Sequence, residues 1–129
     1  MSTNYYARFQ VSDELELNLH IGKTYWDGEK SIFSTVSGKY FATVQQWVDF
    51  LNHNKNRITI VDENGDVHDL DAFIIDLLED NKKPVDKIQW LKDNGFTVFE
   101  DKIPENIPFR DTYWVDPGSG KLFCNSYFS

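Results

Sequence analysis

The chain of 129 residues has a single cysteine, Cys124. One thiol excludes an internal disulfide and a cysteine-based zinc site, and so sparing a use of cysteine suits a reducing compartment. Long apolar runs are missing as well. None approaches the roughly 18 residues that span a bilayer, and Met1 to Gln10 lacks the basic start and apolar middle of a secretory signal. A cytoplasmic protein with no membrane partner is therefore expected. The three histidines, His20, His53 and His68, fall on different segments, with no i, i+4 pair to present two imidazoles to one metal. Gly22-Lys23 lacks the several glycines of a phosphate loop. Neither a metal nor a cofactor is expected.

What is present suffices for one domain. With 40% hydrophobic and 16% aromatic residues, a compact fold of this size buries roughly 65–70% of the surface its unfolded chain exposes. Residues 1–129 show no internal repeat and no flexible linker. The formal charge of −8 is unevenly placed: residues 1–61 carry six Lys/Arg against six Asp/Glu, and residues 81–129 carry seven against seven. All of it lies in 62–80, where Asp62, Glu63, Asp66, Asp69, Asp71, Asp76, Glu79 and Asp80 occur with no Lys or Arg. One reading is a solvated helix face and an acidic turn that keep the domain soluble. The other is a patch aimed at a basic partner, which steers association and makes it salt-sensitive. Both readings exclude direct nucleic-acid binding at this place, because uncompensated carboxylates repel a polyanion.

Hydrophobic periodicity outlines the elements. Tyr5, Ala7, Phe9 and Val11 alternate with polar residues, as do Leu15, Leu17, Leu19 and Ile21. The spacing predicts two strands with one buried face, joined as an antiparallel hairpin through Ser12, Asp13 and Glu14. Asp27-Gly28 marks a turn before a strand at Ser31–Val36 and a short extension at Lys39–Ala42. Thr43 and Gln46 form a capping box ahead of Val44, Trp47, Val48 and Leu51, one face of a helix. Phe50 falls off that stripe, at the edge of the core or outside it. Ile58–Asp62 reads as a strand that returns through an Asn64-Gly65 turn to Val67 and His68. Asp69 then caps a helix with Leu70, Phe73, Ile74, Leu77 and Leu78 inward. Pro84 opens a third helix with Val85, Ile88 and Leu91 inward and Trp90 outward, stopped by Asn94-Gly95. Phe96–Glu100 is a strand, the Pro104 and Pro108 region a loop, and Thr112–Asp116 with Lys121–Phe128 a final hairpin. The fold class expected is α+β: a mostly antiparallel sheet packed with about three helices.

Few residues suggest chemistry. Asp62 to Asp66 superficially resembles a calcium loop, but the glycine comes too early and Phe73 fills the acidic twelfth position. Cys124 beside Asn125 is better read as a small core residue than as a nucleophile. Glu79 and Asp80 sit at the carboxyl end of their helix, where they oppose its dipole. Trp26 and Trp90, off the apolar stripes, are better placed than Trp47 to anchor a partner.

Asn4-Tyr5-Tyr6, then His20-Ile21-Gly22-Lys23 followed by Trp26, the Trp47 helix, Val61-Asp62-Glu63-x-Gly65 before a helix, and a closing Phe128-Ser129 form an ordered set. In that order and spacing the chain resembles a family of small, functionally uncharacterised tailed-phage and prophage proteins. Many members of that family carry paired cysteines or other polar residues between the first two elements. Here Val11 to Asn18 fill the interval with no cysteine, so a metal knuckle does not carry over. The resemblance implies a phage origin and residence in the host cytoplasm, and it names no activity. Small phage proteins outside the replication and virion sets are often inhibitors of host defence.

The expectation is thus a non-enzymatic binding protein that covers a basic surface on a host defence or nucleic-acid-handling protein, of the anti-CRISPR or anti-restriction type. Asp62, Glu63, Asp66, Asp71, Asp76, Glu79 and Asp80 would supply attraction, and Trp90 and Phe50 desolvated contact. Partial DNA mimicry is a variant of it. The alternatives are a small enzyme or ligand-binding protein with a pocket near His20 and Lys23, and an assembly accessory protein that self-associates at a sheet edge.

Overall fold

The computed structural model describes residues 2–25, 30–34, 41–79, 85–103 and 112–124. Eight strands form a sheet in the order β5-β4-β1-β2-β3-β8-β7-β6. They are β1 (Ser2–Gln10), β2 (Glu16–Tyr25), β3 (Lys30–Ser34), β4 (Ile58–Asp62), β5 (Val67–His68), β6 (Thr97–Phe99), β7 (Thr112–Val115) and β8 (Leu122–Cys124). The helices are α1 (Val44–His53), α2 (Leu70–Glu79) and α3 (Val85–Asp93). Five of the seven strand pairings are antiparallel; β3–β8 and β6–β7 are parallel. The α+β architecture with a mostly antiparallel sheet is as the sequence predicts.

Helices cover both faces of the sheet. Ala7, Ile21, Ile58 and Ile60 from the strands pack with Val44, Trp47, Val48 and Leu51 of α1 and with Phe73, Ile74 and Leu77 of α2. Trp114 and Phe123 join that cluster, while their chain neighbours Val115, Leu122 and Cys124 pack with Ile88 and Leu91 of α3. Successive strand residues point to opposite faces, so α3 lies across the sheet from α1 and α2.

Local chemistry fixes the joints. The Thr43 hydroxyl accepts the Gln46 amide at 3.1 Å, and the Gln46 side chain accepts the Ala42 amide at 2.7 Å, a capping box displaced by one residue. The β4–β5 turn also differs by one position from the sequence reading. Gly65 donates to the Asp62 carbonyl at 3.0 Å, so Glu63 and Asn64 are the central pair, and Gly65 follows them at φ 86°. That is a turn closed by a left-handed glycine rather than a two-residue Asn-Gly turn.

Several apolar residues expected inward stand outside. Val11 and Leu15 are exposed because the far end of the β1–β2 hairpin extends past Phe9–Ile58, the last pair that joins β1 to β4; Leu17, opposite Phe9, is exposed on a stretch of β2 that precedes Gly22, where its described pairing with β3 begins. Leu78 and Val85 are exposed at a helix end and a helix start. Phe41 and Ala42 are not in a strand. The Asp27-Gly28 turn, Trp26, Pro84, the Pro104 and Pro108 loop, Thr35–Tyr40 and Asn125–Phe128 lie outside the described residues.

Candidate functional site

Three of the sequence elements that carry the resemblance meet in the sheet. Asn4, Tyr5 and Tyr6 of β1 pair with Lys23, Gly22 and His20 of β2 on one side, and Tyr5 and Tyr6 pair with Asp62 and Val61 of β4 on the other. The β1–β2 register slips between Tyr5 and Tyr6, leaving Ile21 unmatched; such a bulge re-aims the side chains beside it. His20 Nε2 lies 2.9 Å from Oδ1 of the buried Asn4, and the imidazole packs against Tyr6. The Asn4 amide donates to Glu63 Oε1 at 2.9 Å, and the Glu63 amide returns a bond to the Asn4 carbonyl at 3.0 Å. Glu63 therefore ties the turn to β1.

On the face under α2, Asp62 is 9% exposed and fully engaged. Its Oδ1 accepts the amides of Asn64 and Asp66 at 2.9 and 3.1 Å, and its Oδ2 lies 2.9 Å from His68 Nε2. The hydrogen bond from His68 holds this carboxyl below its ordinary value of 3.8; the two amides and the charge of His68 act in the same direction, and burial opposes them. With Asp62 ionised, His68 Nε2 carries the proton. Against this pair lies a depression of about 240 Å³ lined by Tyr5, His68, Asp69, Ala72, Phe73 and Asp76. The Tyr5 ring sits 5.3 Å from that of His68 and 5.5 Å from that of Phe73.

The acidic residues divide by role. Asp62 is internal, which corrects the expectation that the whole run faces a partner; the hairpin needs its oxygens. Asp69 caps α2 through the Ala72 amide at 3.0 Å. Asp71 meets Lys55 Nζ at 2.7 Å in an exposed ion pair, a contact worth about 0–1 kcal/mol. Glu63, Asp66 and Asp76 are exposed. The side chain of Glu79 and all of Asp80 lie outside the described residues.

The two aromatics expected beside the acids are elsewhere. Phe50 is half-buried, edge-on to Phe9 and Phe41 at 5.2 Å each, and belongs to the core. Trp90 is 53% exposed, with Lys87 Nζ 4.8 Å above its ring and Phe96 stacked on it. Its helix packs on β6, at the opposite end of the strand order from β5. Trp90 and the acidic segment thus do not form one surface.

A larger groove, about 440 Å³, lies between the start of α1, the end of α2 and the β7–β8 turn. Its carboxylate, Asp116, is 2% exposed and accepts the amides of Val44 and Gly118 at 3.0 Å each and the Ser119 hydroxyl at 2.6 Å. These bonds pin α1 to the sheet. Sequence reasoning saw only the bend of the final hairpin here; an aspartate before Pro-Gly-Ser carries no sign of a helix partner 72 residues away. Among the described residues no three His, Cys, Asp or Glu side chains could hold a metal, and no helix is long and apolar enough to cross a membrane.

No family model, no curated protein and no solved structure matches this chain.

Proposed function

We propose that the protein is a binding module that presents the acidic segment around β5 and α2 to a basic surface of a partner protein. The supporting observation is one of balance. Residues 62–80 hold eight Asp/Glu and no Lys or Arg, and Glu63, Asp66, Asp71 and Asp76 are exposed, with Lys55 paired to Asp71. Exposed Ile75 and Leu78 on the acidic helix add apolar area that such a contact would cover. In its finer form the module is a phage-encoded inhibitor of a host defence or nucleic-acid-handling protein, acting in the host cytoplasm by occlusion or partial DNA mimicry. That form rests on the resemblance and on charge. The rival pocket at His20 and Lys23 has less in its favour, because His20 is engaged by Asn4 and Tyr6.

The test compares the wild-type chain with an Asp66→Asn, Asp71→Asn, Asp76→Asn, Glu79→Gln variant, both immobilised, for capture of protein from bacterial lysate and for binding of poly-L-lysine at about 50 and 500 mM salt, a roughly threefold span of Debye length. The wild type should bind and weaken with salt; the variant should bind at least about tenfold more weakly, with a flatter salt response. Equal affinity at both salt concentrations, or an unaffected variant, ends the proposal.

A further inference from the structure

Helix α2 carries two apolar stripes. Phe73, Ile74 and Leu77 face the core. Asp71, Ile75 and Leu78 recur at i, i+4 and i+7 on another side of the helix, and all three are exposed. The second stripe runs into the groove of about 440 Å³ between the start of α1, the end of α2 and the β7–β8 turn. Apart from Leu78, the apolar residues described in its lining are Val44, Leu77, Ile103 and Pro117. Val44 and Leu77 are buried there, whereas Leu78 is 46% exposed, so the groove is open along α2. A small molecule matches it poorly, because such sites enclose roughly 70–90% of their ligand.

Charge narrows the choice of occupant. Leu70–Glu79 holds Asp71, Asp76 and Glu79 and no Lys or Arg. Lys55 is paired with Asp71, but the chain as a whole has 13 Lys/Arg against 21 Asp/Glu, and the shortfall of eight equals the acid content of 62–80. A second copy of the chain would set these acids against themselves, and like charges face to face repel. The complement is a segment with large apolar side chains and basic residues beside them. Ile75 and Leu78, three residues apart on a helix, have Cβ atoms roughly 5–6 Å from one another, the spacing at which a second helix presents its own i and i+3 or i+4 side chains.

We propose that a basic amphipathic helix of the partner protein docks along α2, one apolar side chain covering Ile75 and the next, a turn further on, entering the groove beside Leu78, with its Lys and Arg residues set against the acids of α2. The inference rests on the acidic-surface reading and adds the form of the partner segment and the point at which it is anchored.

The experiment uses the full chain labelled with nitrogen-15 and two synthetic peptides of about 18 residues, long enough to form a helix alone. One is built of lysine and leucine, with leucine at i, i+3, i+4 and i+7; in the other every leucine is alanine, which keeps the charge and the helix. At about 50 mM salt the leucine peptide should shift the amides of Val44, Gln45, Leu78 and Ser119 saturably. The alanine peptide should bind at least about tenfold more weakly, the loss of leucine side chains from an apolar site. An Ile75→Ser, Leu78→Ser variant should bind the two peptides alike. Both side chains are exposed, so it should stay folded; its melting curve checks that, and the peptide pair on the wild-type chain is decisive in either case. No saturable shift, shifts confined to other residues, or equal affinity of the wild type for the two peptides overturns the proposal. Movement of the same amides with protein concentration alone gives the groove to a second copy, and a small molecule retained in native mass spectra gives it to a ligand; either result overturns it too. Poly-L-lysine separates this failure from failure of the broader reading. Salt-sensitive binding of the polymer with no preference for leucine removes only the helix and its anchor, whereas absence of both removes the acidic surface as well.

Discussion

Replacing Asp116 by alanine deletes the acceptor of three hydrogen bonds on a side chain that is 2% exposed. The three do not cost the same. Gly118 is exposed and Ser119 half-exposed, so both donors can turn to water once the carboxylate is gone. The Val44 amide cannot. It is the first helical N–H of α1, the capping box serves Gln46 and Ala42 instead, and the residue is 2% exposed. A stranded buried donor costs about 1–3 kcal/mol. With part of the two turn bonds added, Asp116→Ala should destabilise by about 2–4 kcal/mol. For a domain of this length that lowers the melting temperature by about 8–16 °C. Asp116→Asn, which keeps one oxygen, should lose about half as much. Urea melts at neutral pH give the free energies, and hydrogen exchange at Val44 gives the site: its amide should exchange faster in Asp116→Ala. A melting temperature within about 2 °C of wild type, or an unchanged Val44 amide, would refute the account of how α1 is fixed.

Three further outcomes are expected. Because the Asp62 carboxyl is held below its ordinary value of 3.8, its contribution to stability is present above that value and is lost as pH falls through the lower folded one. Melting temperature followed downward from about pH 5 should therefore decline less steeply in Asp62→Asn than in wild type; identical slopes would contradict it. Phe50→Ala should cost about 1.5–3 kcal/mol, read by urea denaturation, and leave poly-L-lysine binding unchanged, because the ring supports the core. Leu17→Lys should move stability by no more than about 0.5 kcal/mol, whereas Leu51→Ala should cost about 2–5 kcal/mol; similar values for the two would show that the hairpin tip is covered by something.

Elements set by local rules could be read from the chain. The capping box at Thr43, the stripe through Trp47 and Leu51, and the positive φ of Gly65 each depend on residues a few positions apart, and each stands close to where periodicity puts it. What periodicity misjudged depends on distant neighbours. Leu15 and Leu17 alternate as buried residues do, but burial needs neighbouring elements, and this end of the hairpin lies beyond the described pairings of β2 with β3 and, at Leu15, of β1 with β4. Phe50 falls off the α1 stripe, yet Phe9 and Phe41 bring the core out to meet it. The candidate site was half legible. The acidic run and His68 are visible in sequence, but that Asp62 would turn inward, and that Tyr5 and Phe73 would wall a cavity beside it, depends on the pairing of β1 with β4 and the seat of α2.

That inward turn sharpens the question about the acidic segment. Folding by itself accounts for Asp62, which builds the hairpin, for Glu63, whose carboxylate stands in for a ladder acceptor at Asn4, and for Asp69, which starts α2. Neutral Asn, Gln or Ser could do much of the bonding of Glu63 and Asp69, whereas the charge of Asp62 is itself favoured by its surroundings. Asp66, Asp71 and Asp76 stand on the outside of a turn and a helix, where a mixture of signs would keep the domain soluble at less electrostatic cost. Residues 1–61 and 81–129 do have such a mixture, six against six and seven against seven. A demand for solubility would act on every surface alike. On the reading proposed above, a charge confined to one turn and one helix is what a basic partner would impose.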